Sequence, residues 1–277
     1  MQTHILYKEK CRPTSFIVLL VGTIFLSSVL FSCKILKAHS QKEKTVPFDI
    51  SLIELPRLGC QPNEQLVSHC GFNLSFNPCW QISNWVAYEL TAEETKGTES
   101  RKNYRFAKDP LVELSPDHSD YSGSGYSRGH MAPAADMKWD PCAMRSSFFM
   151  TNICPQTEAM NNGCWELLER KCRVWAKSFG SIYIACGPVV KAGMKTISAK
   201  KISVPNAFYK VVLRKKNDKY EGIAFIMPNS EDAVASLEPY VVSIDAVEAQ
   251  TGIDFFYNLP DDVEVEVEAA SDFSGWR

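Results

Sequence analysis

The chain is predicted to fold as one α+β domain behind an N-terminal leader, on three features of its 277 residues. Short runs of alternating or continuous apolar residues, bounded by Gly, Pro and Asn, recur between residues 84 and 227 and carry the pattern of strands. From Asn161 the apolar period lengthens. Trp165, Leu168, Cys172 and Trp175, with Leu167 beside them, recur at three and four residues and mark one amphipathic helix to about Lys177. A separate, almost unbroken apolar run covers Ser15 to Phe31.

That run follows Lys8, Lys10 and Arg12, the order of a secretory leader. It ends in Leu30-Phe31-Ser32-Cys33, which resembles a bacterial lipobox, where cleavage precedes the cysteine and lipid joins its thiol. An uncleaved anchor and a plain cleaved signal remain the alternatives, because 17 apolar residues is the short edge of what spans a bilayer. All three expectations put residues 1–33 in an exported leader and the folded part outside the cytoplasm, lipid- or membrane-anchored or else secreted. Residues 34–50, polar and Lys-rich at first, read as a tether, and 51–277 as the folded domain.

Cysteine usage points to the same compartment. Beyond Cys11 and Cys33 stand Cys60, Cys70, Cys79, Cys142, Cys154, Cys164, Cys172 and Cys186, an even set that an oxidising environment would pair, with buried thiols as the alternative. No C-x-x-C pair occurs, so a structural zinc site is not expected. The formal charge of −2 excludes a bulk electrostatic grip on nucleic acid. Any such binding must use a local basic patch.

Taken in order, Asn84 to Leu90 alternates as a half-buried strand, and Thr91 to Asp120 is rich in charge and turn formers and reads as loop. Gly123, Gly125 and Gly129 punctuate a tightly turning stretch, and Ser147 to Ile153 has strand composition ended by Pro155. After the helix, Ser181 to Cys186, Ala207 to Arg214 and Gly222 to Met227 read as buried strands. Pro239 to Val267 adds a short helix and a last edge strand, in which Val263, Val265 and Val267 alternate with glutamates.

The chemistry is concentrated in three blocks: Tyr126-Ser127-Arg128-Gly129-His130-Met131-Ala132-Pro133-Ala134, Thr151-Asn152-Ile153-Cys154-Pro155-Gln156, and Asn161-Asn162-Gly163-Cys164-Trp165-Glu166-Leu167-Leu168-Glu169. They set a histidine on a Gly-flanked strand, an amide at the start of a helix and a carboxylate two turns along it. Residues 161 and 169 are separated by about 80° of helical rotation, so both can face one cleft. An imidazole that takes a proton near neutral pH, beside a hard oxygen ligand suited to magnesium, fits phosphodiester hydrolysis. Set against this, a helix cap competes for Asn161, Asn162 rivals it as ligand, and a bridge to Arg173 competes for Glu169. His69 and His118 lack such company and read as ordinary.

These blocks resemble the DRGH, or NUC, family of DNA/RNA non-specific nucleases. Trp85 to Leu90, Tyr183 to Pro188, Val204 to Lys210 and Thr251 to Phe256 resemble its strands and turns. The resemblance implies the ββα-metal (His-Me finger) fold, a central, mainly antiparallel sheet flanked by helices. It implies His130 as general base, Asn161 as the direct ligand of Mg2+ (Mn2+ substituting), Arg128 as the motif arginine, Asn152 as a supporting asparagine and Glu169 as the carboxylate that orients metal-bound water. Arg101 matches a phosphate-contacting arginine, with Arg105 as competitor, and Lys138 and Arg145 are candidates for the same basic patch. Ser127 stands where many members carry Asp, a departure shared with the mitochondrial exonuclease-like branch. The substrates implied are DNA and RNA, cut endonucleolytically to 5′-phosphate products, and a homodimer is the expected assembly. The alternatives are a 5′-exonuclease of the same fold and a module that binds nucleic acid without cutting it.

Overall fold

The computed structural model describes residues 48–59 and 61–277. The leader, its lipobox, residues 34–47 of the tether and Cys60 lie outside the described residues.

The period-2 runs form a seven-stranded sheet in the order β1-β2-β3-β6-β9-β10-β11, antiparallel at every step. Its strands are β1 (Gln65–Ser68), β2 (Asn73–Asn77), β3 (Ile82–Thr91), β6 (Ser181–Val189), β9 (Ala207–Lys216), β10 (Lys219–Pro228) and β11 (Val241–Val242). Between β3 and β6 the chain leaves the sheet to form a small hairpin, β4 (Ser127–His130) with β5 (Ile153–Gln156). Two-residue strands β7 (Thr196–Ile197) and β8 (Ile202–Ser203) pair separately.

Strand alternation sends side chains to two cores, one on each face of the sheet. Val86, Tyr88, Ile184, Val212 and Phe225 meet the face covered by Leu168, Cys172 and Trp175 of the long helix α3 (Glu166–Phe179). Trp85, Ala87, Ala185, Val211 and Ala224 meet the opposite face, under Ile244 and Val247 of α4 (Ile244–Thr251) and Val267 of α5 (Asp261–Ala269). Helix, sheet and helices thus form three layers, and the α+β class with an antiparallel central sheet holds.

Three expected elements differ. Residues 147–153 are not a strand: α1 (Pro141–Ser147), capped by Asp140, occupies the start, and a 3-10 turn Met150–Asn152 follows. Phe148, Phe149 and Met150 are buried there as core fillers, so their β-propensity yields to packing. Pro155 lies inside β5, tolerated because that strand pairs only with β4, and its carbonyl accepts from Asn229 Nδ2 at 3.0 Å. The helix begins before Asn161: Thr157 caps α2 (Glu158–Met160), and a π-helical turn, Asn161–Trp165, joins it to α3. Finally, residues 261–269 are helical. Val263 and Val267 share a buried side at i,i+4 while Val265 is 67% exposed, a spacing that alternation by two also satisfies.

Of the eight cysteines, Cys70 and Cys142 form a disulfide that ties the turn between β1 and β2 to the start of α1. Cys154, Cys164, Cys172 and Cys186 are buried thiols, so the expectation of a fully paired set fails for them. Burial pushes the Cys172 thiol up to about 12.

Candidate active site

Local sequence dictates where His130 points. In the β4–β5 hairpin Gly129 faces Cys154 and His130 faces Ile153. Gly129 has no substitute there, because a Cβ would collide with the Gln156 side-chain amide. The chain turns immediately after His130, and Asn152 fixes that turn. Its Oδ1 accepts from Ala132 N at 2.9 Å, while its Nδ2 donates to Ala132 O at 2.8 Å and Ser147 O at 2.9 Å. Asn152 is fully buried and does not line the cleft, so its contribution runs through the backbone that carries the histidine.

The His130 ring packs against Phe106, with centroids 5.4 Å apart, and edge-on to Phe148 at 5.3 Å. Its Nε2 is buried with no hydrogen-bond partner among the described residues. Burial, and secondarily the Arg101 charge, lowers its pKa to about 3, so the imidazole is neutral across the physiological range.

The π turn carries Asn161 to the other side of the same hollow. A cleft of about 740 Å³ is lined by Arg101, Arg128, His130, Asn161, Glu169 and Arg173, with Phe106, Tyr126, Asn162 and Glu166 among the other wall residues. Asn161 Nδ2 donates to Asn162 Oδ1 at 3.1 Å, which leaves Asn161 Oδ1 as the oxygen available to accept or to ligate. Asn161 is not the N-cap, which is Thr157, whose hydroxyl accepts from Met160 N at 3.4 Å; Asn161 instead follows the last residue of α2. Burial raises the Glu169 carboxyl to about 8, opposed by the neighbouring Lys210 charge.

The arginines divide by geometry. Arg101 stands over the Phe148 ring at 5.5 Å and reaches the cleft, whereas Arg105 turns back to donate to Lys102 O and Tyr104 O. Arg128 is held by donating to His118 O at 2.7 Å and by the Phe106 and Tyr121 rings at 5.6 and 5.9 Å. Lys138 lines an adjoining hollow of about 360 Å³ that shares Arg101, Ala134 and Ala135 with the cleft. Arg145, exposed on the last turn of α1, lines neither.

His69 is structural: it is buried against Asp109 at 2.9 Å and packs against Phe72 and Phe149. The exposed His118 side chain pairs only with Asp117, and its contribution is its carbonyl.

Sequence reasoning missed a support layer beneath the cleft. Arg173 does not bridge to Glu169 but donates to buried Asp136 at 2.7 Å, and Tyr88 donates to the other oxygen of that carboxylate at 2.9 Å. Trp165, read as core, donates its indole N–H to His130 O at 3.1 Å, which fastens the π turn to the histidine strand. Lys210, fully buried on β9, lies 4.5 Å over the same indole. The one signal in the sequence was a lysine in the middle of the apolar run 207–213.

Comparison with known proteins places the family and the fold. The chain is 35% identical over 199 residues to the mitochondrial nuclease EXOG of Danio rerio, covering 66% of this chain and 58% of the relative. It thus spans a little under three fifths of that protein. It is 30% identical over 220 residues to mitochondrial endonuclease G of Homo sapiens, covering 74% of each, and 33% identical over 221 residues to a nuclease of Nostoc, covering 76% and 80%. A crystal structure of an EndoG/EndoGI complex superposes with a TM-score of 0.67 at 27% identity, over 72% of this chain and 88% of the other. Residues 55–262 match the family model described as DNA/RNA non-specific endonuclease. With that match over most of its length, the chain belongs to the DNA/RNA non-specific endonuclease family.

Proposed function

We propose that residues 51–277 are a magnesium-dependent, sugar-nonspecific endonuclease that hydrolyses phosphodiester bonds of DNA and RNA, exported by the leader 1–33 and spaced from the membrane by the tether 34–50. The observation that carries this reading is the convergence of a neutral, partner-free His130 imidazole and the Asn161 amide on one arginine-lined cleft.

The donor set fits a hard cation. Asn161 Oδ1 and the carboxylates of Glu166 and Glu169 line the cleft, and no thiol does. Asn161 would hold magnesium, or manganese in its place, with Glu169 orienting its water. When bound, the ion supplies charge neutralisation at the phosphoryl group and the leaving oxygen.

The residues divide the remaining work. Arg101 and Arg128 bind the phosphate and neutralise its charge, and Phe106 and Phe148 keep bulk water from the histidine. His130 Nε2 accepts a proton from the attacking water as its oxygen bonds to phosphorus. The bond to the sugar oxygen on the far side breaks, leaving a 5′-phosphate product. Arginines suited to phosphate line the cleft, and recognition through phosphate and not base edges supports poor sequence and sugar discrimination.

Supercoiled plasmid and single-stranded RNA, each incubated with purified protein in magnesium and in EDTA, test the proposal. Both should be cut only with the metal, and the closed circle should open, since it has no ends for an exonuclease. Intact substrates in magnesium would contradict it. Fractionation of expressing cells tests export: activity in the cytoplasmic fraction alone would contradict the leader assignment.

A further inference from the structure

Five carboxylates meet at the end of the molecule formed by α4 and α5, on the sheet face opposite α3. Asp245 and Glu248 are three residues apart on α4, and Glu264 and Glu268 four apart on α5, so each pair shares one helix side. Asp254 comes from the segment between the helices. One oxygen each from Asp245, Glu248 and Glu268 lies within 4.8 Å of the others, and the same holds for Asp254, Glu264 and Glu268. Glu268 belongs to both groups.

Glu268 supplies the second, independent observation. Its side chain is 9% exposed, and its Oε1 is buried with no hydrogen-bond partner among the described residues. The compensation nearby is small. Arg57 pairs with Asp254 at 3.0 Å, and Phe255 N donates to Glu248 Oε1 at 2.7 Å. Burial, reinforced by neighbouring carboxylates, pushes Glu268 up to about 8 and Glu248 up to about 7. A buried, unpartnered carboxylate among four others is unfavourable unless a proton or a cation joins it, and a cation that binds here must displace that proton.

We propose that this cluster is a calcium site, centred on Glu268, that locks α4 to α5. The donors are all carboxylate oxygens, the ligand class of a hard cation. Several carboxylates brought together from two helices and the segment between them suit calcium, which takes six to eight oxygen ligands in flexible geometry, better than magnesium, which demands near-ideal octahedral geometry and holds most of its waters. The site is independent of the cleft and of the nuclease reading, and its effect is on stability.

Calcium titration of EDTA-stripped protein, followed by calorimetry and thermal unfolding, tests the proposal in the parent, in Asn161→Ala and in Glu268→Gln. Asn161→Ala removes the metal ligand assigned to the cleft. The parent and Asn161→Ala should both bind calcium, and their midpoints should rise by about 4 °C at ten times the dissociation constant. Glu268→Gln should lose that rise, match or exceed the parent midpoint in EDTA, and cut plasmid in magnesium at the parent rate. If Glu268→Gln does not fold, Asp245→Asn at an exposed position should weaken calcium binding instead. No calcium binding by Asn161→Ala, or an equal rise in the carboxylate variant, would overturn the assignment.

Discussion

The proposed base is kept neutral by where its neighbours put it. Wedged between Phe106 and Phe148 and facing the Arg101 charge, His130 stays neutral far below its ordinary value near 6.5. The folded state therefore binds fewer protons than the unfolded chain between pH 6.5 and about 3, and stability falls as pH falls through that window. Between pH 6.5 and 5 the loss from this residue should be about 2 kcal/mol, read as a steeper decline of unfolding free energy in the parent than in His130→Asn. Equal slopes would refute the shift. Trp165 is a positioning residue, holding the π turn to the His130 carbonyl. Trp165→Phe keeps the ring and loses the N–H, so kcat should drop about tenfold with KM little changed, at a stability cost of about 1 kcal/mol. A KM effect alone would assign the indole to substrate binding. His130, Asn161 and Glu169 were legible because imidazole, amide and carboxylate at this spacing have a shared chemistry. Trp165 and Lys210 were not, because their partners, a backbone carbonyl and an indole face, are set by tertiary contact.

Among the elements, the hairpin and the π turn bring the two halves of the site to one cleft and are fastened to each other by Trp165. Gly129→Ala should disrupt the hairpin, since the added methyl meets Gln156 directly. A loss of about 1–3 kcal/mol is expected, with cleavage reduced more than folding, as checked by denaturant unfolding beside a plasmid assay. Parent-like values in both would show that Gln156 moves aside freely. The Gly-flanked strand and the long amphipathic helix were readable from periodicity and composition. The helix start was not, because a π turn interrupts the regular period between Thr157 and Glu166. The last strand was misread for a related reason: valines at 263, 265 and 267 satisfy both a period of two and an i,i+4 pair. Three acidic residues in the first turn, favourable at a helix N-terminus, were the signal that decides for helix.

At the scale of the whole molecule, the seven-stranded sheet separates a catalytic side from a side built around α4 and α5. The strand order was not legible, because β3 pairs with β6 across some ninety intervening residues that include the entire hairpin and helix. The disulfide between Cys70 and Cys142 closes a separation of 72 residues and ties the turn between β1 and β2 to α1, in the middle of that excursion from the sheet. The double substitution to serine should lower stability by about 2–5 kcal/mol without changing the magnesium requirement for cleavage, measured by thermal unfolding and plasmid assay. An unchanged midpoint would mean that packing alone holds α1 in place. The central claim is that one imidazole and one amide-held cation serve the same phosphodiester. It is tested most directly by the rate of plasmid cleavage in saturating magnesium for the parent, His130→Ala and Asn161→Ala, each shown to be folded by circular dichroism. The account predicts that His130→Ala falls by about 10² to 10⁴ with its magnesium affinity intact, and that Asn161→Ala loses that affinity. Cleavage by His130→Ala at the parent rate would contradict it.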